Sequence, residues 1–333
     1  MNWKKIVGCA LAGVFGVTML AGCTQEGGSP SGGDETVYDK TYAEVPLYEG
    51  GTHIYNVTET SYPFLTEETT PYRIVLSATA GPNVMTAANE LITFFKEATG
   101  VTLRTVTDGE ASWSETAQYI SLGTNSYQQA SGVTAPEGLK ANGYVIRTQG
   151  RSVILFGGQD LGTQFGVYEL LRQLFGYVRY GVDTYYIESG VKDKNLPQFD
   201  IYDNPDFDYT GANYGSTYSD KDAAHKMRTE TVDEIYMTAT AEYVHNTMDY
   251  LPPEEYEAKY PEWYATNTTP YRQLCYTAHG NPERYEQLVN EMTEKVKVAI
   301  DAEPNKSIIS ITNEDRDSTY IKSSDFSCRC FAF

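Results

Sequence analysis

The sequence predicts an α/β fold whose first folded part is a sheet carrying its helices on one face. Three observations predict it. Short β-branched runs alternate with two amphipathic segments between about residues 72 and 176, a glycine closes each amphipathic segment, and 41% of the 333 residues are hydrophobic, enough to build a core. Residues 72–79 alternate and read as a strand, which Gly81-Pro82 breaks. Val84, Ala87, Ala88, Leu91, Phe94, Phe95 and Ala98 then recur at helical spacing, with Gly100 at the C′ position. Residues 101–107 and 118–124 read as further strands, and 144–148 and 152–156 as a hairpin joined through Gly150-Arg151. A second helix follows, carrying Phe165, Val167, Tyr168, Leu170, Leu171 and Leu174 and closed by Gly176. Gly157-Gly158-Gln159-Asp160-Leu161-Gly162 opens that helix. It has neither a Gly-Lys-Ser/Thr ending nor G-x-G-x-x-G spacing, so it reads as a tight turn rather than a phosphate loop.

Charge narrows the partners. Asp and Glu number 45 against 25 Lys and Arg, a formal −20, and such a chain repels a phosphate backbone, which argues against nucleic acid. Tyrosine is unusually common, 28 against 12 Phe and 3 Trp. Rings with a hydroxyl suit wet surfaces and sugar stacking, but they also fill cores.

Lys4 and Lys5 precede an uncharged run over residues 6–22, the pattern of a signal peptide and too short for a confident membrane span. The run ends Leu20-Ala21-Gly22-Cys23, which resembles a bacterial lipoprotein lipobox. That resemblance implies removal of residues 1–22, acylation of Cys23 and an extracytoplasmic, lipid-anchored protein at the cell surface. Residues 23–40, rich in Gly and Ser, read as a flexible tether. Beyond them stand Cys275, Cys328 and Cys330, an odd number that makes no complete disulfide framework. Cys328-Arg329-Cys330 could pair with Cys275 or hold a metal, with weak support for zinc. No H-E-x-x-H or G-x-S-x-G occurs, so neither zinc proteolysis nor serine esterase chemistry is indicated, and no cofactor or metal is expected.

Two resemblances give the architecture. Asn142-Gly143-Tyr144-Val145-Ile146, Ser152-Val153-Ile154-Leu155-Phe156-Gly157 and Gly162-Thr163-Gln164-Phe165-Gly166-Val167-Tyr168-Glu169-Leu170-Leu171 resemble the non-catalytic domain that precedes the barrel in family 20 hexosaminidases and family 67 α-glucuronidases. This implies an accessory domain over residues 41–203. Asp203-Asn204-Pro205-Asp206-Phe207-Asp208-Tyr209-Thr210-Gly211 is similar to the entry to the first hexosaminidase barrel strand, with Thr210 where that family has a substrate-binding Arg. Asp206, Asp208, Thr210 and Gly211 also imitate the start of a calcium loop, but its closing Glu is replaced by Thr217. From there the chain resembles an uncharacterised barrel family, domain of unknown function 4838. The residues that carry it are His245-Asn246-Thr247, Leu251-Pro252-Pro253-Glu254-Glu255-Tyr256, Tyr260-Pro261-Glu262-Trp263-Tyr264, Gln273-Leu274-Cys275, Asn281-Pro282-Glu283 and the run ending Asn313-Glu314-Asp315. The likeness spans about 204–317 and weakens after Asp317. Residues 282–299 are helical by pattern, with Leu288, Met292, Val296 and Ile300 inward.

The resemblance implies a partial (β/α)8 TIM-like barrel over 204–333. A whole barrel takes about 250 residues, so the expectation is a truncated one. Barrel enzymes keep catalytic groups at the carboxyl ends of strands. Residues 308–312 are β-branched and apolar, and the acidic residues that follow make Glu314 or Asp315 the candidate acid/base carboxylate of glycoside hydrolysis. It would work with a partner carboxylate elsewhere, since adjacent strand residues point to opposite faces unless the strand has ended. Substrate contacts are expected from His245, which follows a possible strand at 241–244, and from Asn313, with Trp263, Tyr264 and Tyr271 as a stacking wall. The expected protein is a surface lipoprotein acting on O-glycosidic bonds of a glycan or oligosaccharide. The alternatives are a non-catalytic carbohydrate-binding lipoprotein and an inactive fragment.

Overall fold

The computed structural model describes residues 50–67, 69–212, 215, 217, 220–265 and 273–314. The signal segment 1–22, Cys23, the tether 23–40, Tyr271, Asp315, Cys328 and Cys330 lie outside the described residues.

A seven-stranded mixed sheet organises the first part. Its strands are β1 (Thr52–Thr58), β3 (Arg73–Leu76), β4 (Arg104–Thr107), β5 (Tyr119–Leu122), β6 (Tyr144–Gln149), β7 (Ser152–Gly157) and β11 (Gln198–Asn204), in the order β1-β11-β6-β7-β5-β3-β4. Short pairs complete the set: β2 (Pro63–Leu65) with β10 (Lys194–Asn195), and β8 (Val178–Arg179) with β9 (Tyr185–Tyr186). Strands β4, β3, β5 and β7 are mutually parallel, whereas the β6–β7 hairpin turns at Gly150 (φ +57) and runs antiparallel. Side-chain alternation divides the core. Ile74, Ile120, Ile146, Val153 and Leu155 face α1 (Pro82–Thr99) and α3 (Asp160–Phe175), which bury Leu91, Phe95, Phe165 and Leu171 against them. Val75, Val145, Ile154 and Phe156 point the other way, beneath Tyr127 of the short α2 (Ser126–Ala130) and Val133. The two long helices therefore share one face, as the alternation of runs implies, and the loop that carries α2 covers the other.

The turn into α3 is built for close approach, not for phosphate. Its amides are consumed internally: Gly158 N donates to Gly143 O (3.0 Å), Gln159 N to Ala141 O (2.9 Å) and Gly157 N to Thr163 Oγ1 (2.9 Å). A Cβ on Gly162 would lie 2.3 Å from Gly143 O, so only glycine fits there.

After β11 come α4 (Lys221–Lys226), α5 (Val232–Ile235), α6 (Thr247–Tyr250), α7 (Pro253–Tyr256) and α8 (Pro282–Ala302). The strands expected at 241–244 and 308–312 are not formed as strands. Among the described residues, parallel pairing here is limited to isolated bridges, Gly211 to Glu230 and Tyr236 to Ile308. In α8, Leu288 is buried and Met292 and Val296 pack on the same cluster, but Ile300 is 41% exposed, and Ala299 turns inward in its place.

Polar contacts tie this segment to the first. Glu169 of α3, 1% exposed, accepts from Arg172 at 2.6 and 2.8 Å and from Arg228 at 3.2 Å. Lys226 Nζ lies 3.6 Å from Glu90 of α1. Asn142 Nδ2 donates to Glu230 Oε2 at 2.8 Å. The Asp206 and Asp208 carboxylates are likewise spent on Gly51 N (2.6 Å) and Lys140 Nζ (3.1 Å). Next to these ties, Thr231 and Glu234 form a capping box on α5, and His225 Nε2 lies 3.0 Å from both Glu234 oxygens.

Burial raises the Glu234 proton affinity, but hydrogen bonds from His225 and Thr231 outweigh it and hold the carboxyl at about 2. A folded pKa below the unfolded one stabilises above the unfolded value near 4.5 and is lost as pH falls toward 2. Glu234→Gln should therefore cost on the order of 2 kcal/mol at pH 7, after discounting for solvent screening. Urea unfolding should show that difference shrinking toward zero between pH 4.5 and 2.

Candidate functional site

The 308–314 segment has little ladder pairing: Met237 N donates to Ile308 O at 2.8 Å. A single side chain supplies much of the rest. Asn246 is 0% exposed. Its Nδ2 donates to Ser310 O (2.8 Å) and Glu242 O (2.7 Å), and its Oδ1 accepts from Thr312 N (2.8 Å). The backbone amides of Asn246 and Thr247 reach Thr312 O at 3.2 and 3.3 Å. A carboxamide donates and accepts at once, so it can stand in for a neighbouring strand.

That strap brings His245 to the end of the segment. His245 adopts φ +53, a left-handed conformation that His tolerates better than most residues, and its Nδ1 lies 3.0 Å from Asn313 O. Glu314 is half-buried, and its Oε1 accepts from Thr247 Oγ1 and Met248 N, both at 3.3 Å. Gln273 Nε2 donates to Glu314 O, and Tyr276 Oη to Asn313 Oδ1. Burial, then the charge of Glu314, raises the Tyr276 phenol above its ordinary range. The structure thus brings together three of the expected residues, His245, Asn313 and Glu314, from chain positions nearly seventy residues apart. His245 and Asn313 are exposed and Glu314 is half-buried, so an imidazole and a carboxyl-bearing residue both lie at this end of the segment. Among the described residues no three His, Cys, Asp or Glu side chains converge as a metal site.

Trp263 and Tyr264 stand elsewhere, and their expected role as a stacking wall is corrected. Both are 1% exposed. The 3-10 turn Pro261–Trp263 folds the indole inward, where it stacks on Tyr260 (ring centroids 4.0 Å apart, interplanar angle 6°) and donates from Nε1 to Arg284 O at 2.9 Å. Tyr264 Oη donates to Leu251 O at 3.0 Å. Their faces are used by the core. Asn246, Thr247, Gln273 and Tyr276 were not expected at the site. The first two directly follow His245 in the motif and Gln273 opens the Gln273-Leu274-Cys275 motif, signals present in the sequence; Tyr276 carries no pattern that marks it.

Residues 184–330 match the family described as domain of unknown function 4838, and residues 64–170 match the glycosyl hydrolase family 67 N-terminus. Over residues 64–170 the chain is similar to a glycoside hydrolase N-terminal domain. The first match begins before residue 204 and continues past Asp317, where the sequence alone suggested that the likeness weakens. Among solved structures, the N-acetyl-β-hexosaminidase of Streptomyces plicatus is 16% identical with a TM-score of 0.30, covering 47% of this chain and 26% of its own. A family 20 β-N-acetylhexosaminidase of Streptomyces coelicolor A3(2) is also 16% identical, with a TM-score of 0.30 and 49% and 29% coverage. A family 115 4-O-methyl-α-glucuronidase with specificity for decorated arabinogalactans is 17% identical, with a TM-score of 0.25 and 34% and 14% coverage. The chain thus spans less than a third of each of these proteins. No curated protein matches it.

Trp263→Ala should lower unfolding free energy by about 3–5 kcal/mol, as expected for a buried aromatic. Chemical denaturation measures this; a solvent-facing platform would change stability by only about 0.5 kcal/mol.

Proposed function

We propose that this chain is the accessory domain and part of the barrel of a surface lipoprotein that hydrolyses O-glycosidic bonds of a complex glycan. The observation that carries the reading is the meeting of His245, Asn313 and Glu314 at the end of the 308–314 segment. The two family matches support it. Glycoside cleavage needs one carboxyl group to protonate the leaving oxygen and a second to attack or to activate water. Glu314 takes one role, half-buried and held at Oε1 by Thr247 and Met248. Asp315, the next residue, is the proposed partner or substitute. His245 and Asn313 bind sugar hydroxyls. Residues 1–22 act as the lipoprotein signal, and a lipid on Cys23 anchors the protein outside the cytoplasm.

Purified protein should release aryl-glycoside or oligosaccharide product, and Glu314→Gln should lower kcat/KM by about 100-fold or more. No turnover from any substrate, together with saturable glycan binding, would assign a carbohydrate-binding protein instead. In cells, labelled palmitate should enter the protein and be lost in Cys23→Ser; equal labelling of that variant would remove the lipid anchor from the account.

A further inference from the structure

A cavity of about 510 Å³ lies away from the His245 cluster, against the starts of α1 and α3. Asn142, Gln159, Tyr209, Glu230, Asn305 and Lys306 are among its lining residues. Chain direction places it. Asn305 and Lys306 precede the Tyr236–Ile308 bridge, and Tyr209 precedes the Gly211–Glu230 bridge, whereas Asn313 and Glu314 follow at the far end. None of His245, Asn313 and Glu314 lines it.

Its chemistry selects a ligand class. Both lysines are already engaged: Lys140 Nζ donates to Asp206 O (2.9 Å) and pairs with Asp208 (3.1 Å), and Lys306 Nζ donates to Tyr236 O (2.8 Å) and pairs with Glu303 (2.5 Å). Asp160, Asp208, Glu230 and Glu234 also line the space, four carboxyl groups against two lysines, so an anionic ligand is disfavoured. Four carboxamides, on Asn83, Asn142, Gln159 and Asn305, offer donors and acceptors together, which is what neighbouring sugar hydroxyls require. Glu230, 7% exposed, is held by Asn142 and by Thr210 N (3.2 Å), and burial raises its proton affinity. Tyr209, 37% exposed, also lines the cavity. The volume falls within the range of roughly 300–1,000 Å³ usual for small-molecule sites.

We propose that this cavity is a second, non-catalytic site for a neutral saccharide, at the end of the 305–314 segment opposite Glu314. It does not depend on Glu314 being catalytic, because the two sites share no residue.

The test is a glycan array of neutral and acidic oligosaccharides, followed by calorimetry of the full chain with the best neutral binder. Saturable binding should weaken about tenfold or more in Tyr209→Ser and in Gln159→Ala/Asn305→Ala, the loss expected from one or two hydrogen bonds. Gln159 makes no side-chain capping bond to α3, so its removal should leave the fold intact, which circular dichroism of each variant checks. Glu314→Gln should bind within about twofold of the wild type. No neutral saccharide bound, a preference for acidic ones, or affinity unchanged in folded cavity variants would each overturn the proposal. Loss of binding in Glu314→Gln would also overturn it, by moving the saccharide to the His245 cluster.

Discussion

The Asn246 carboxamide is the interaction on which the candidate site depends. Among the described residues the 308–314 segment has no continuous neighbouring strand, and its amides and carbonyls cannot be left buried without partners, at roughly 1–3 kcal/mol each. Asn246 answers two of those demands, at Ser310 O and Thr312 N, with one fully buried side chain, and its own backbone and that of Thr247 answer another at Thr312 O. The consequence is positional. Once Thr312 is strapped to residue 246, His245 must lie beside Asn313, and the Thr247 hydroxyl and Met248 amide must lie beside Glu314. The left-handed backbone at His245 fits the same constraint, since the chain reverses there to bring both sides of the strap into register.

A second set of buried polar contacts fixes the segment that leads to this site. Glu169 would be costly in the interior without compensation, and Arg172 and Arg228 supply it from α3 and from the chain after α4. Because Arg228, Glu230 and Glu234 fall within one short stretch, the sheet, the polar cavity and the entry to α5 are set by neighbouring residues. The sheet domain thereby serves as a base: its helices α1 and α3 carry apolar side chains to the sheet and polar ones to the following segment.

Much of the sheet domain was legible in the sequence because period-2 and period-3.6 patterns report burial directly. The runs 144–148 and 152–156 and the helix ending at Gly100 appear with boundaries shifted by a residue or so. Strand β1 was missed because Thr52–Thr58 is exposed along its whole length and carries no alternating pattern. The second half was less legible. The β-branched run at 308–312 follows strand chemistry, yet side-chain bonds from Asn246 hold it instead of a ladder, and no periodicity encodes that. Aromatic residues misled for a related reason: Trp263 and Tyr264 look the same in sequence whether they face sugar or core, and only the turn after Tyr260 decides. His245, Asn313 and Glu314 could be named from the motif, but their meeting depends on contacts some seventy residues apart.

The most direct measurement is amide hydrogen exchange at Thr312 in the wild type and in Asn246→Ala. If the carboxamide is the strap, exchange at Thr312 should accelerate by about tenfold or more, equivalent to losing about 1.4 kcal/mol of local protection, while amides of β5 and β7 keep their rates. Unchanged exchange at Thr312 in a folded Asn246→Ala protein would contradict the account, because the segment that presents Glu314 would then be held by something other than Asn246.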